Sequence, residues 1–182
     1  MSALSSIAYP SIPNITHCRF TLFKVMIAVM DRFNLRIPPI PVAFICGLMI
    51  WVLATFVGTH SMGTEIRQVV ATLLLTLAAV IDLAALVTFL RAKTTIDPRY
   101  PDKTSTMVTS GIYKFSRNPM YLGLALLLAS LSLWLGARFG LFVVVAFVLY
   151  MNRFQIEPEE QALEKQFGEM YLKYKASVRR WI

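Results

Sequence analysis

The sequence predicts an all-α integral membrane protein, with about four transmembrane helices and a C-terminal amphipathic helix in the cytosol. Three observations predict it. Of 182 residues, 57% are hydrophobic and only 15% charged, with a mean hydropathy of +0.60; soluble domains average about 45–50% apolar and about 25% charged. The apolar residues gather into runs approaching the roughly 20 residues that a bilayer core demands of a helix. Basic residues also favour one side. With four spans, four Lys and Arg fall in Met1 to Arg36, six in Arg91 to Arg117 and six in Arg153 to Arg180, against only Arg67 and Arg138 opposite. That bias puts both termini and the central loop in the cytoplasm. The net charge of +8 is therefore explained by its placement along a membrane, and no nucleic-acid partner is expected.

The elements follow in order. Residues 1–36 read as an N-terminal tail, disordered or interfacial, and residues 37–182 as one membrane domain. In the tail, Phe20 to Met30 is apolar apart from Lys24, too short to span and without a cleavage pattern. Met1 and Met30 are both candidate starts. Pro38, Pro39 and Pro41 mark the entry to a first span, Ile40 to Gly58, which carries no charge. A polar loop, Thr59 to Glu65, leads to a second run, Val69 to Leu90, long enough to cross when tilted. Asp82 is the only acid inside a span. A carboxylate is costly there, so it should face the bundle, in the simplest case through an inter-helix hydrogen bond.

Met120 to Gly136 is the third span, residues 136–140 turn the chain, and Leu141 to Met151 opens the fourth. That opening stretch reaches only about 16 Å, half the hydrocarbon thickness. The helix should therefore continue through Asn152, Arg153 and Gln155, whose side chains either snorkel or line a hydrated pocket. Cys18 and Cys46 are far apart, and His17 and His60 lack partners at ligand spacing; neither a disulfide framework nor a metal site is indicated.

Two regions carry candidate chemistry. The connection Arg91 to Arg117 is long for a link between spans. It runs into Ser110 to Gly123, which combines a Gly turn, Lys114 and Arg117, and the aromatics Tyr113, Phe115 and Tyr121. Asn118 then Pro119 reads as N-cap and first helical residue. The helix start would present free amides and a positive dipole end beside Arg117, an anion site; the plainer alternative is a cap and a headgroup contact. The second region begins at Pro158, read as a helix start. Glu159 to Lys175 is amphipathic, with Leu163, Phe167, Met170, Tyr171 and Tyr174 on one face. Glu159 and Glu160, at helical spacing before Leu163, extend that buried stripe. The charge topology puts the loop, the polar end of span four and this acid pair on one membrane face.

The motifs Thr106 to Tyr113, Arg117-Asn118-Pro119-Met120-Tyr121-Leu122-Gly123, and Glu159-Glu160 followed by residues 167–171 resemble the isoprenylcysteine carboxyl methyltransferase family, which belongs with the phospholipid methyltransferases. The resemblance implies S-adenosyl-L-methionine as cofactor and methyl transfer to a lipophilic small molecule or lipid-modified substrate. It implies cofactor contacts from Ser105, Thr106, Met107, Val108, Tyr113, Asn118, Pro119, Met120, Tyr121 and Glu159, to which the local chemistry adds Arg117 and Glu160. The short chain looks like the compact bacterial members, which implies the bacterial inner membrane.

Two departures bear on the acceptor. The prenylcysteine enzymes have His where this chain has Asn118, and an Arg on the last span where it has Gln155. Arg153 lies two residues earlier, rotated by about 200° on a helix, so it is no simple substitute. Gln155 and Arg153 are the candidate acceptor-pocket residues. No general base is apparent. The alternatives are a membrane reductase of the related sterol-reductase type and a non-catalytic four-span protein whose basic loops meet membrane lipids.

Overall fold

The computed structural model describes residues 37–57, 63–92 and 107–182. The expectations for the tail 1–36, for His60 and for Ser105 and Thr106 lie outside the described residues. Helix α1 is Pro39–Phe56, α2 Thr64–Ala92, α3 Pro119–Leu135 and α4 Gly140–Tyr150, while a 3-10 turn at Gly111–Lys114 leads into α3. No β-strand occurs among the described residues. Three helical stretches are long and apolar enough to cross a membrane, and α3, at 17 residues, is a shorter apolar helix. The all-α membrane fold is as predicted.

Packing follows from which faces carry small residues. Helix α2 turns Ala71, Ala78, Ile81 and Ala85 inward and runs along α3. Small side chains let the backbones approach where lipid supplies no hydrophobic drive between helices. At the contact, Ser130 Oγ donates to Ala71 O at 2.7 Å. Asp82 does face the bundle: its carboxylate lies over Gly123, where any Cβ would overlap it. The core gathers α1, α3 and α4 around Ile50, Leu128, Val143 and Phe147. Large residues such as Phe44, Leu73, Leu83 and Phe142 point outward, as lipid contact requires.

The fourth span departs from the expected layout. No new helix begins at Pro158. The helix runs on from α4 through a wide π turn, Met151–Ile156, into α5, Glu157–Phe167. A proline inside a helix removes one N–H and pushes against the carbonyl four residues back, here Phe154. The wider turn accommodates this, and Glu157 N–H reaches back to Asn152 O. The single amphipathic helix expected over Glu159 to Lys175 is also broken. Gly168, with φ 52° and ψ −126°, ends α5, and α6 runs Glu169–Ser177. The chain folds back there, and Lys175 Nζ reaches Glu164 Oε2 at 3.2 Å. Of the expected apolar stripe, only Tyr171 is buried, Leu163, Phe167 and Tyr174 are half-buried, and Met170 is exposed.

Candidate functional site

The start of α3, the π turn, the start of α5 and residues 178–182 meet at one end of the bundle. Two adjacent acids organise the meeting, and they have different partners. Glu159 Oε1 accepts from Tyr121 Oη at 2.6 Å and from Gln155 Nε2 at 2.7 Å. Its other oxygen makes no hydrogen bond among the described residues. Gln155 is 1% exposed, so its amide is committed to orienting Glu159. The wide turn puts Gln155 one turn before Glu159 on the same side of the helix.

Glu160 is 6% exposed and fully engaged. Arg180 grips it with two bonds, Nε to Oε1 at 3.0 Å and a terminal nitrogen to Oε2 at 2.8 Å. A terminal nitrogen of Arg117 lies 3.2 Å from Oε1. Two-pronged arginine–carboxylate pairing fixes orientation as well as charge. That hydrogen bond, opposed by partial burial, raises the Arg180 pKa above the ordinary arginine value. Tyr171 joins the same cluster: burial first, then the Glu160 charge, pushes its hydroxyl up to about 12, against the pull of Arg117 and Arg180.

Arg117 is not satisfied by this. Its Nε and one terminal nitrogen are buried without a hydrogen-bond partner. Beside it, Asn118 does not cap α3 with its side chain, which corrects the expectation. Its φ of −131° and ψ of 55° depart from the extended backbone of a cap residue, and its Nδ2 donates to Arg180 O at 3.0 Å instead. The amides of Met120 and Tyr121, second and third in the helix, are left uncapped. Pro119 is buried at the first position. Met107 and Val108 are half-buried in the approach to the 3-10 turn.

Tyr113, buried in that turn, packs edge-on against Phe89 at 5.3 Å between ring centres, and its carbonyl accepts from Tyr174 Oη at 2.7 Å. Burial raises the pKa of both phenols well above the ordinary tyrosine value. Gly111, at φ 60°, allows the turn to press on Thr88. Arg153 is half-exposed, with Glu157 Oε2 at 3.3 Å and its guanidinium over the Phe154 ring.

The structure therefore brings together Arg117, Asn118, Pro119, Met120, Tyr121, Gln155, Glu159 and Glu160. Arg153 makes none of this cluster's hydrogen bonds described above and is paired with Glu157. Sequence reasoning missed Arg180, Trp181 and Ser116, and placed Tyr171 on the apolar face without a role in the site. Arg180 entered only as one more positive charge. The one available signal was Gly168, a break that lets residue 180 return to residue 160.

Fold and site define a helical membrane protein with a polar, partly unsatisfied cluster at one end of its bundle. The chain belongs to the phospholipid methyltransferase family, whose sequence pattern matches residues 66–170, and is on that ground a membrane methyltransferase. It is also similar to an uncharacterized protein of Haemophilus influenzae, 48% identical over 63 residues, which are 35% of this chain and the whole of that protein. No solved structure matches it.

Proposed function

We propose that the protein transfers a methyl group from S-adenosyl-L-methionine to a lipophilic acceptor at the cytosolic face of a bacterial inner membrane. The observation that carries this reading is the pairing of unsatisfied donors with a half-used acid. Arg117 keeps two buried nitrogens without partners, next to the uncapped amides of Met120 and Tyr121. A carboxylate satisfies such a set, since free amides and the positive helix end attract an anion. Glu159 keeps one oxygen for an ammonium or a ribose hydroxyl. The residues present thus fit the carboxylate of an amino-acid-bearing nucleoside together with its ammonium or a ribose hydroxyl.

The roles within the predicted set then divide. Arg117, Met120 and Tyr121 hold the carboxylate, Glu159 the ammonium or a ribose hydroxyl, and Tyr113 with Met107 and Val108 wall the approach. Glu160 is an anchor for two arginines rather than a ligand contact. Gln155 acts through Glu159, and Arg153 lies toward the acceptor side. The cofactor supplies a methyl group already activated by its sulfonium, so these residues mainly align and exclude water.

The test is transfer of isotopically labelled methyl from S-adenosyl-L-methionine into lipid extracts of membranes that carry the protein. Label in the organic phase, lost in Glu159→Gln, is the expected result. Membranes carrying folded protein that incorporate no more label than membranes without it would contradict the reading.

A further inference from the structure

Methyl-donor binding does not explain why residues 178–182 run across the site. We propose that this strap is a positioning element: it keeps the start of α3 open to an anionic ligand by preventing Asn118 from capping its own helix. The inference rests on the proposed function for the identity of that ligand and on the following geometry for everything else.

At Val178 the backbone turns extended, with φ −125° and ψ 133°. The strap is then tied to each part of the site. Arg179 O accepts from the Arg117 amide at 3.0 Å. Arg180 O accepts from Asn118 Nδ2 at 3.0 Å and from Ser116 Oγ at 3.5 Å. The Arg180 guanidinium grips Glu160 on α5. Trp181 Nε1 donates to Asn152 Oδ1 in the π turn at 3.0 Å, and the Trp181 ring packs on the core.

Asparagine is among the strongest helix caps, its side-chain oxygen accepting from the second or third amide. Those amides belong to Met120 and Tyr121. With Asn118 turned toward Arg180 O, they stay available. A released Asn118 would cover one of them with an internal oxygen, which an incoming carboxylate would then have to displace. The strap also fixes Arg117 twice, through its backbone at Arg179 and through Glu160, which Arg180 holds. The uncapped amides and the guanidinium are thereby kept side by side. Sealing the fold would account for the partly buried Trp181 ring, but it would not require a strap carbonyl to take the Asn118 carboxamide.

The test compares the parent chain with Arg180→Ala combined with Trp181→Phe, which loosens both anchors while keeping an aromatic ring. Each is titrated calorimetrically in detergent with S-adenosylhomocysteine, which carries the amino-acid carboxylate, and with methylthioadenosine, which lacks it. The loosened chain should bind the first about tenfold more weakly and the second within about twofold of the parent, as expected for losing one helix-end anion contact. In an Asn118→Ala background the same loosening should cost clearly less for S-adenosylhomocysteine than in the parent, because no side chain remains to cap and only the hold on Arg117 is lost. Equal losses for both ligands, or an undiminished loss in the Asn118→Ala background, overturn the inference.

A parent chain that binds neither nucleoside defeats the methyl-donor reading alone. Amide hydrogen exchange then decides the strap. Loosening should slow exchange at Met120 or Tyr121 as Asn118 swings in to cap, and unchanged exchange at both overturns the proposal. Should the double variant not fold, Trp181→Phe alone is put through the same titrations and exchange, with the same deciding outcomes.

Discussion

Helix α3 meets an arginine at each end, and the two arginines stand in opposite fields. At its C-terminal end the guanidinium of Arg67 lies against Gly136, close enough that any Cβ there would overlap it. At its N-terminal end Arg117 lies against Glu160. Both bury an Nε without a hydrogen-bond partner. A helix places partial negative charge at its C-terminus and partial positive charge at its N-terminus. The fold therefore supplies Arg67 with a favourable field, and Gly136, with φ 67°, makes the room. Arg117 has the unfavourable end and needs anions. Glu160 supplies one, shares it with Arg180, and leaves donors of Arg117 over. Arg67 leaves one buried nitrogen unpartnered in a favourable field, whereas Arg117 leaves two in an unfavourable one, a demand that a ligand can meet.

The largest expected effect tests the anion that Arg117 already has. Glu160→Gln would strip the counter-charge from two arginines, and removing one partner of a buried pair costs about 3–5 kcal/mol. Thermal unfolding in detergent should show that loss, and a cost under about 1 kcal/mol, typical of a surface pair, would mean that Glu160 is no anchor. Next comes its neighbour. Glu159→Gln should weaken S-adenosylhomocysteine binding by about 1.5–3 kcal/mol if its open oxygen meets a charged donor. An unchanged affinity removes Glu159 from the ligand set.

The middle of α3 gives a smaller effect of a different kind. Gly123→Ala drives a methyl group into the Asp82 carboxylate and should cost about 1–3 kcal/mol of stability as overpacking does, seen as a lower unfolding midpoint. Unaltered unfolding would show that α2 and α3 are not held at that spacing. The smallest effect is Ser130→Ala, which deletes the bond to Ala71 O and should cost about 1 kcal/mol. A larger loss than that of Gly123→Ala would reverse this ordering of the two contacts.

Much of the fold was legible because bilayer thickness and charge placement act on composition. The expected spans Ile40 to Gly58, Val69 to Leu90 and Met120 to Gly136 lie close to α1, α2 and α3, and Asp82 faces its neighbour helix as a costly charge must. The extension of span four through Gln155 was legible from length alone. What could not be read was the effect of Pro158. Periodicity has no signal for a turn that widens to absorb a proline, so one long helix was expected as two. Gly168 was hidden for the opposite reason, since Leu163, Phe167, Met170, Tyr171 and Tyr174 keep helical spacing across a break. In the site, residue types identified Arg117, Tyr121 and Glu159 as chemistry-bearing. The partners of Glu160 and Asn118 lie 20 and 62 residues away on the strap, and no local pattern encodes such ties. Asn118 is the clearest case: its local sequence specifies a cap, and the tertiary contact withdraws it.

The most direct test of the account is a calorimetric titration with S-adenosylhomocysteine of three chains in detergent: the parent, Arg117→Ala and Arg67→Ala. Parent and Arg67→Ala should bind alike, while Arg117→Ala should bind about tenfold or more weakly, as loss of a charged hydrogen bond implies. A folded parent that binds nothing, or two arginine variants that weaken equally, would contradict it.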